Sequence, residues 1–388
     1  MVWRPHCDGD SNWTHLPARR HESICAERPV AQCRPRCHLS GRLAHGGGAD
    51  HHVGYFARLP RHQPVVTFHD GLNMLDPQAQ ALMQLMIDKG VPPVNTLSPT
   101  EARASYRSRR AFTQPDAPDV FKVEDTVFSA NGVNVPVRVY HPHAAQTQKV
   151  LPGLVYLHGG GWTIGDLDTH DVLCRSLCLQ AEVVVVSVDY RMGPEHKFPA
   201  AYEDTVAAFN WTVSQAASLG IDPHRIAVGG DSAGGNLSAA ACIGLRDQKG
   251  LAAQPAFQLL IYPATIMWQD TASYHANGKG YMLTKESIAY YTESYLRNRN
   301  DATDWRASPQ LADSHAGLPP AFVMTAGFDP LRDEGLMYAN ALTKAGVSSQ
   351  YICFERQIHG FITMGRVMQE ANTAVSLCAS VLKTHLRV

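Results

Sequence analysis

The 388 residues predict an α/β protein, with a mostly parallel sheet covered by helices on both faces. Two observations carry that reading. Short apolar runs of strand composition alternate with longer helical stretches over most of the chain, the pattern of strands joined by crossover helices. An Asn131-Gly132 pair also sits between two segments that alternate apolar and polar residues, which marks an antiparallel hairpin ahead of the alternating part. No internal repeat is evident.

The elements follow in order. Pro77 to Lys89 carries the helical pattern Ala81-Leu82-Met83-Leu85-Met86-Ile87 and is stopped by Gly90-Val91-Pro92-Pro93. Ser98 to Ala111 reads as a second helix, with Pro99 in its first turn and Glu101 near its start. The hairpin spans Val120–Ser129 and Val133–His141. Strands are then predicted at Gly153–His158, Val183–Asp189, Arg225–Gly230, Gln258–Tyr262, Ala321–Ala326 and Gln350–Glu355. The helices between and after them are predicted at Thr169–Gln180, Ala201–Ser218, Ala233–Arg246, Glu334–Ala345 and Arg366–Thr384. The stretch from Ala264 to about Pro320 breaks the rhythm and is rich in Tyr, Trp and Met, which suggests an insertion over the carboxyl edge of the sheet.

Residues 1 to about 70 differ in character. They are rich in His and Arg, hold Cys7, Cys25, Cys33 and Cys37, and precede the first lysine, Lys89. With no sustained period of 2 or 3.6, they are expected to be a disordered or non-native extension, a start placed too far upstream. The rival reading is a zinc module on Cys33-x3-Cys37-His38 with His51-His52, but the spacing matches no zinc pattern. A start at Met74 keeps every element above.

Composition excludes several function classes. Lys+Arg of 34 against Asp+Glu of 35 leaves a net charge of −1, so the whole surface does not attract polyanions and nucleic-acid binding is not expected. Apolar runs such as Val183 to Val188 are buried-strand length, far short of the roughly 20 residues that span a bilayer. No apolar signal core follows Met1 to Cys7, and the 9 cysteines form no disulfide scaffold, so a cytoplasmic protein is expected. Cys174 and Cys178 share a helix face, but no third ligand lies nearby and core packing is the better reading. Cys242 and Cys353 read as small buried hydrophobes.

The chemistry is concentrated at three places. Gly230-Asp231-Ser232-Ala233-Gly234 joins an apolar strand to an apolar helix, the context of a G-x-S-x-G nucleophile elbow. A serine hydroxyl is a poor nucleophile unless a base, oriented by a third group, takes its proton. In chain order an acid and then a histidine should follow. Asp329 after the Ala321–Ala326 strand and His359 after the Gln350–Glu355 strand fill those places. Asp333 competes with Asp329 for the acid role, but it falls where the next helix begins and suits a first-turn position. Asp231 is read as structural. His158-Gly159-Gly160-Gly161-Trp162 follows the first buried strand, and its glycines would let backbone N–H groups approach a developing oxyanion. Gly160, Gly161 and Ala233 are the expected donors, with Gly159 a further candidate and His158 a brace for the loop. A phosphate cradle is disfavoured because no G-K-[ST] follows.

Taken together these residues resemble the hormone-sensitive-lipase family of α/β-hydrolase esterases (bacterial family IV carboxylesterases). The matching motifs are His158-Gly-Gly-Gly-Trp162, Gly165-Asp-Leu-Asp-Thr-His170, Tyr190-Arg191 with Pro194-Glu195-His196 and Phe198-Pro-Ala-Ala201, Gly230-Asp-Ser-Ala-Gly-Gly-Asn236, Asp329-Pro-Leu-Arg-Asp-Glu334 and His359-Gly-Phe361. The match runs from about Asp76 to the C-terminus. It departs at Met192-Gly193, where the family usually has Leu-Ala.

The resemblance implies an α/β-hydrolase fold with an eight-stranded sheet, a Ser232–His359–Asp329 triad, and hydrolysis of short-to-medium acyl esters through an acyl-enzyme, without cofactor or metal. It implies a helical cap formed by residues 71–115 and an insertion at about 264–320, on a catalytic domain of residues 116–388. Pairing through the edge strand makes a homodimer an expectation of the same kind. Trp162, Phe198, Trp268, Tyr281, Met282 and Tyr290 are candidate walls of the substrate pocket, or else ordinary cap packing. Two other functions stay open: an amidase similar to arylacetamide deacetylase, and a non-catalytic receptor similar to the gibberellin receptors. The receptors lack the catalytic histidine, and His359 argues against them.

Overall fold

A computed structural model describes residues 74–130, 132–143 and 150–386. The zinc and extension readings of residues 1–70 lie outside the described residues. Eight strands form one sheet in the order β1-β2-β4-β3-β5-β6-β7-β8. They are β1 (Lys122–Ala130), β2 (Val133–His141), β3 (Leu151–Leu157), β4 (Val184–Val188), β5 (Ile221–Asp231), β6 (Phe257–Ile261), β7 (Ala321–Phe328) and β8 (Ser349–Ile358). The hairpin β1–β2 and the pairing of β2 with β4 are antiparallel, and every pairing from β4 onward is parallel.

The period of two along each strand divides the core into two layers. Val155 and Leu157 of β3, with Val184, Val186 and Val188 of β4, turn to one face. There they meet helices α4 (Ala200–Ser214), α6 (Ala233–Asp247) and α9 (Arg332–Lys344). Leu154, Tyr156 and Val185 turn to the other face, against α3 (Asp171–Ala181) and α10 (Gln369–Leu386). All of β4 is buried, which explains a run without polar alternation: a parallel strand covered on both faces has no solvent side. Each such Val or Leu contributes roughly 1.5–3 kcal/mol on burial. Cys174, Cys178 and Cys242 are buried among these side chains.

Three local differences from the sequence reading have physical causes. The helix expected over Ala201–Ser218 is two helices, α4 and the short α5 (Ala216–Leu219). Between them Ser214 Oγ donates to the Trp211 carbonyl at 2.8 Å, a side-chain bond that competes with the helical ladder. The last helix starts at Gln369 rather than Arg366, because the Arg366 N–H donates to Thr113 O and its guanidinium to Gln114 O. The stretch after Ala264 holds two short helices, α7 (Ala272–Asn277) and α8 (Lys285–Tyr295). Thr271 and Thr284 cap their N-termini by accepting from the backbone N–H three residues on.

Ahead of the sheet lie α1 (Pro77–Asp88) and α2 (Pro99–Thr113). Helix α2 opens with a reciprocal capping box: Ser98 Oγ accepts from Glu101 N–H at 3.3 Å, and Glu101 Oε2 accepts from Ser98 N–H at 2.9 Å. Ser98→Ala should therefore weaken the start of α2 by about 1 kcal/mol. Amide exchange in its first turns is the measurement, with about a fivefold acceleration expected and none if the cap is idle.

Candidate active site

The parallel strands end on one side, and three of those ends converge. Strand β5 runs into α6 through Ser232, which holds φ 56° and ψ −113°, a backbone region that residues with a side chain avoid. A Cβ on either Gly230 or Gly234 would strike the Leu157 carbonyl oxygen at the end of β3. The two glycines are therefore what lets the turn pack this tightly. The strained corner is held by Ser232 N–H donating to Ile261 O at 2.8 Å.

Asp329 immediately follows β7, and His359 immediately follows β8. His359 Nε2 lies 2.8 Å from Ser232 Oγ, and His359 Nδ1 lies 2.7 Å from Asp329 Oδ2. The carboxylate accepts, so Nδ1 carries the proton and the Nε2 lone pair faces the serine hydroxyl. Asp329 is wholly buried, and its other oxygen accepts the Leu331 N–H at 2.8 Å. The Tyr262 ring, 4.7 Å from the imidazole, covers one side of His359. Asp333 occupies the first turn of α9, where it accepts the Ser273 N–H at 2.7 Å and pairs with Arg332.

The glycine loop divides into two parts. Gly159 N–H donates to Asp231 Oδ1 at 2.9 Å. That corrects its candidacy as an oxyanion donor, because its one amide proton is committed inside the protein. Gly160 and Gly161, at φ 126° and 58°, line the same cavity as Ser232. A Cβ on Gly160 would strike the Ile164 carbonyl, and one on Gly161 the Tyr291 ring. Ala233 is the first residue of α6, where an N–H has no acceptor within its own helix.

Beneath the loop lies a buried polar cluster. Asp231 also accepts from Tyr156 Oη at 2.8 Å and pairs with His170 Nε2 at 3.2 Å. Burial alone would raise its pKa, but His170, Tyr156 and Arg110 hold the carboxyl well below the usual carboxylate range. His158 lies wholly buried, stacked on Tyr190 at 4.3 Å, with Nδ1 2.9 Å from Gly159 O. Glu334, which the sequence reading did not single out, is buried in α9 and accepts the Thr265 N–H at 2.6 Å. Burial pushes its carboxyl well above the ordinary range.

A cavity of about 680 Å³ opens on Ser232, His359, Gly160 and Gly161. Of the walls named from sequence, Trp162, Tyr281 and Met282 line it. The other three do not. Phe198 is core, set edge-on against Tyr295 at 5.8 Å. Trp268 is 44% exposed on the outer surface, under the Arg299 guanidinium. Tyr290 is one helical position off, and its neighbour Tyr291 lines the cavity instead. Leu82, Met83 and Met86 of α1, Tyr106 of α2 and Ile288 of α8 were not foreseen as walls. Their helical spacing was legible, but periodicity alone does not tell a face on a core from a face on a cavity.

A family model described as an α/β-hydrolase fold matches residues 154–363. The chain belongs to the α/β-hydrolase family. Within it, the chain is of the hormone-sensitive-lipase (family IV) type. The carboxylic ester hydrolase LipN of Mycobacterium tuberculosis is 39% identical over 318 residues, 81% of this chain and 84% of that protein. The ethyl acetate hydrolase of Pseudomonas putida is 35% identical, over 80% of this chain and 99% of its own length. The solved structure of a hyperthermophilic esterase from Pyrobaculum calidifontis has a TM-score of 0.75 and 35% identity, covering 80% of this chain and 98% of that one.

The neutral state of His158 gives this α/β hydrolase a pH signature. Burial and the nearby His170 push its pKa from 6.5 down to about 4. Between those values the unfolded chain binds a proton that the folded chain refuses, so this group's stabilisation is complete above pH 6.5 and is lost as pH falls towards 4. An NMR titration should find the His158 imidazole still neutral at pH 5.5. A midpoint near 6.5 would contradict the burial argument.

Proposed function

We propose that this chain is a serine carboxylesterase in which Ser232 is the nucleophile, His359 the general base and acid, and Asp329 the group that orients His359. The observation that carries the reading is the unbroken hydrogen-bond line from Ser232 Oγ through the imidazole to the buried Asp329. Its relatives bear the names of ester hydrolases. The chain is a hydrolase of carboxylic ester bonds.

Ser232 attacks the ester carbonyl while His359 Nε2 takes its proton, and the C–O double bond becomes a tetrahedral oxyanion. The amides of Gly160, Gly161 and Ala233 receive that oxyanion, each such donor being worth on the order of 10²–10³ in rate. His359 then returns the proton to the departing alcohol, leaving an acyl-Ser232. Water attacks the acyl-enzyme with His359 again as base, and the acid leaves. Asp329 keeps Nδ1 protonated throughout, so Nε2 is always the atom presented to serine or water. None of these steps calls on a metal or cofactor.

Helices α1 and α2, with α7, α8 and the turns after Ala264, act in this reading as the cap over the catalytic domain. The contributions of α1, α2 and α8 to one cavity wall support it. Apolar walls and a volume of about 680 Å³ suit short-to-medium acyl chains. A small-molecule ester is the only partner the site requires. The homodimer expected of the family would pair along an edge of the sheet, which ends in β1 and β8. A cytoplasmic setting accords with Cys174, Cys178, Cys242, Cys353 and Cys378 being free thiols. No helix among the described residues is long and apolar enough to cross a membrane.

A receptor without catalysis has no use for an imidazole bonded to both a serine and a buried carboxylate, and no feature of the site favours an amide over an ester. Ser232→Ala should lower kcat/KM on 4-nitrophenyl butyrate by at least about 10³-fold while leaving some rate above the uncatalysed one. Wild-type activity in that variant would overturn the assignment.

A further inference from the structure

The wall of the cavity beside Ser232 is unbalanced in charge. Lys89, Arg109 and Arg110 all line it, and among the described residues Asp231 is the sole carboxylate that does. Asp231 is already bonded to Tyr156, Gly159 and His170. Among the described residues Arg110, 6% exposed, makes its hydrogen bonds to neutral groups: it donates to Tyr106 Oη at 2.5 Å and to Thr363 Oγ1, and lies 4.6 Å from the centre of the Tyr106 ring, while its charge acts on Asp231 without forming an ion pair.

Arg109 has less. Among the described residues its guanidinium makes no ion pair, its Nε is buried without a partner, and its nearest aromatic face, Tyr106, is 5.9 Å away. Several other arginines among the described residues pair with a carboxylate. Arg103 pairs with Glu195, Arg138 with Asp125, and Arg191 with Asp204. Withdrawing a guanidinium from water without a counter-charge is costly. A protein keeps such a group most readily where a ligand supplies the missing charge, and this one faces the space a substrate must enter.

We propose that Arg109, backed by Arg110, is an anion subsite, and that the esters this enzyme prefers carry a carboxylate remote from the scissile bond, as in a monoester of a dicarboxylic acid. The planar fork of a guanidinium accepts a carboxylate through two parallel hydrogen bonds. Docking the acid end there leaves the chain between lying along the apolar walls, with the ester carbonyl at Ser232. This inference rests on the ester-hydrolase reading and adds to it a class of substrate.

The test compares kcat/KM for ethyl hydrogen adipate and ethyl heptanoate on the full-length protein, followed by pH-stat. The ratio of charged to neutral ester is expected to fall at least about tenfold in Arg109→Met, the size of a charge-assisted bond. Arg109→Lys should give an intermediate ratio, since an ammonium keeps the charge without the fork. A ratio unchanged in both variants overturns the subsite. Should neither variant fold, inhibition of the wild-type protein decides: adipate should compete with 4-nitrophenyl butyrate at a concentration at least about tenfold below that of heptanoate, and equal potency overturns the proposal. If wild-type protein hydrolyses neither ester nor 4-nitrophenyl butyrate, it is the ester-hydrolase reading that fails.

Discussion

The tight corner at Ser232 is the constraint on which the rest of the site depends. A residue with a side chain is held at φ 56°, at a cost of order 1–3 kcal/mol, between the end of one strand and the first turn of a helix. The corner survives because glycine occupies both positions that press against the Leu157 carbonyl, and because Ile261 holds the serine amide from the neighbouring strand. The corner lifts the hydroxyl out of the sheet, to the level where the loops after β7 and β8 deliver Asp329 and His359.

Asp231 connects that corner to the loop that faces it. Its backbone belongs to the strand that leads into Ser232, while its carboxylate receives the Gly159 amide, Tyr156 and His170. The glycine loop and the serine are thus positioned by one buried group, so neither can shift without breaking a charge-assisted bond in a low-dielectric interior. Gly160 and Gly161, two of the three proposed oxyanion donors, directly follow the tethered amide. Preorganisation of this kind lets donors act on a developing charge without rearranging at the moment of reaction.

The fold was largely legible from residues because the signals were local and repeated. Val183–Val188 announced a strand buried on both faces, and Asn131-Gly132 the hairpin. The meeting of Ser232, Asp329 and His359 was legible for a different reason: a parallel sheet puts its strand ends on one side, so Asp329 and His359, distant in sequence, had a common destination. The cavity was less legible. Phe198 and Tyr291 are both aromatic, yet one packs inside and the other faces ligand space, a distinction set by the rotation of α8 and the packing of Tyr295. Helices α7 and α8 carried threonine caps, but aromatic residues in short segments hid their period. Gly159 shows the limit most clearly. Nothing in Gly159-Gly160-Gly161 tells which amide is already taken, because the acceptor, Asp231, lies 72 residues away in sequence.

Activation of Ser232 by His359 at this one spot is open to direct measurement. Treating the protein with a fluorophosphonate and mapping the adduct by mass spectrometry tests it most directly, because the reagent reports nucleophilicity without assuming a substrate. A single adduct on the peptide bearing Ser232 is expected, forming at a rate that collapses in His359→Gln. Modification at another residue, or an equal labelling rate in the His359→Gln protein, would contradict it.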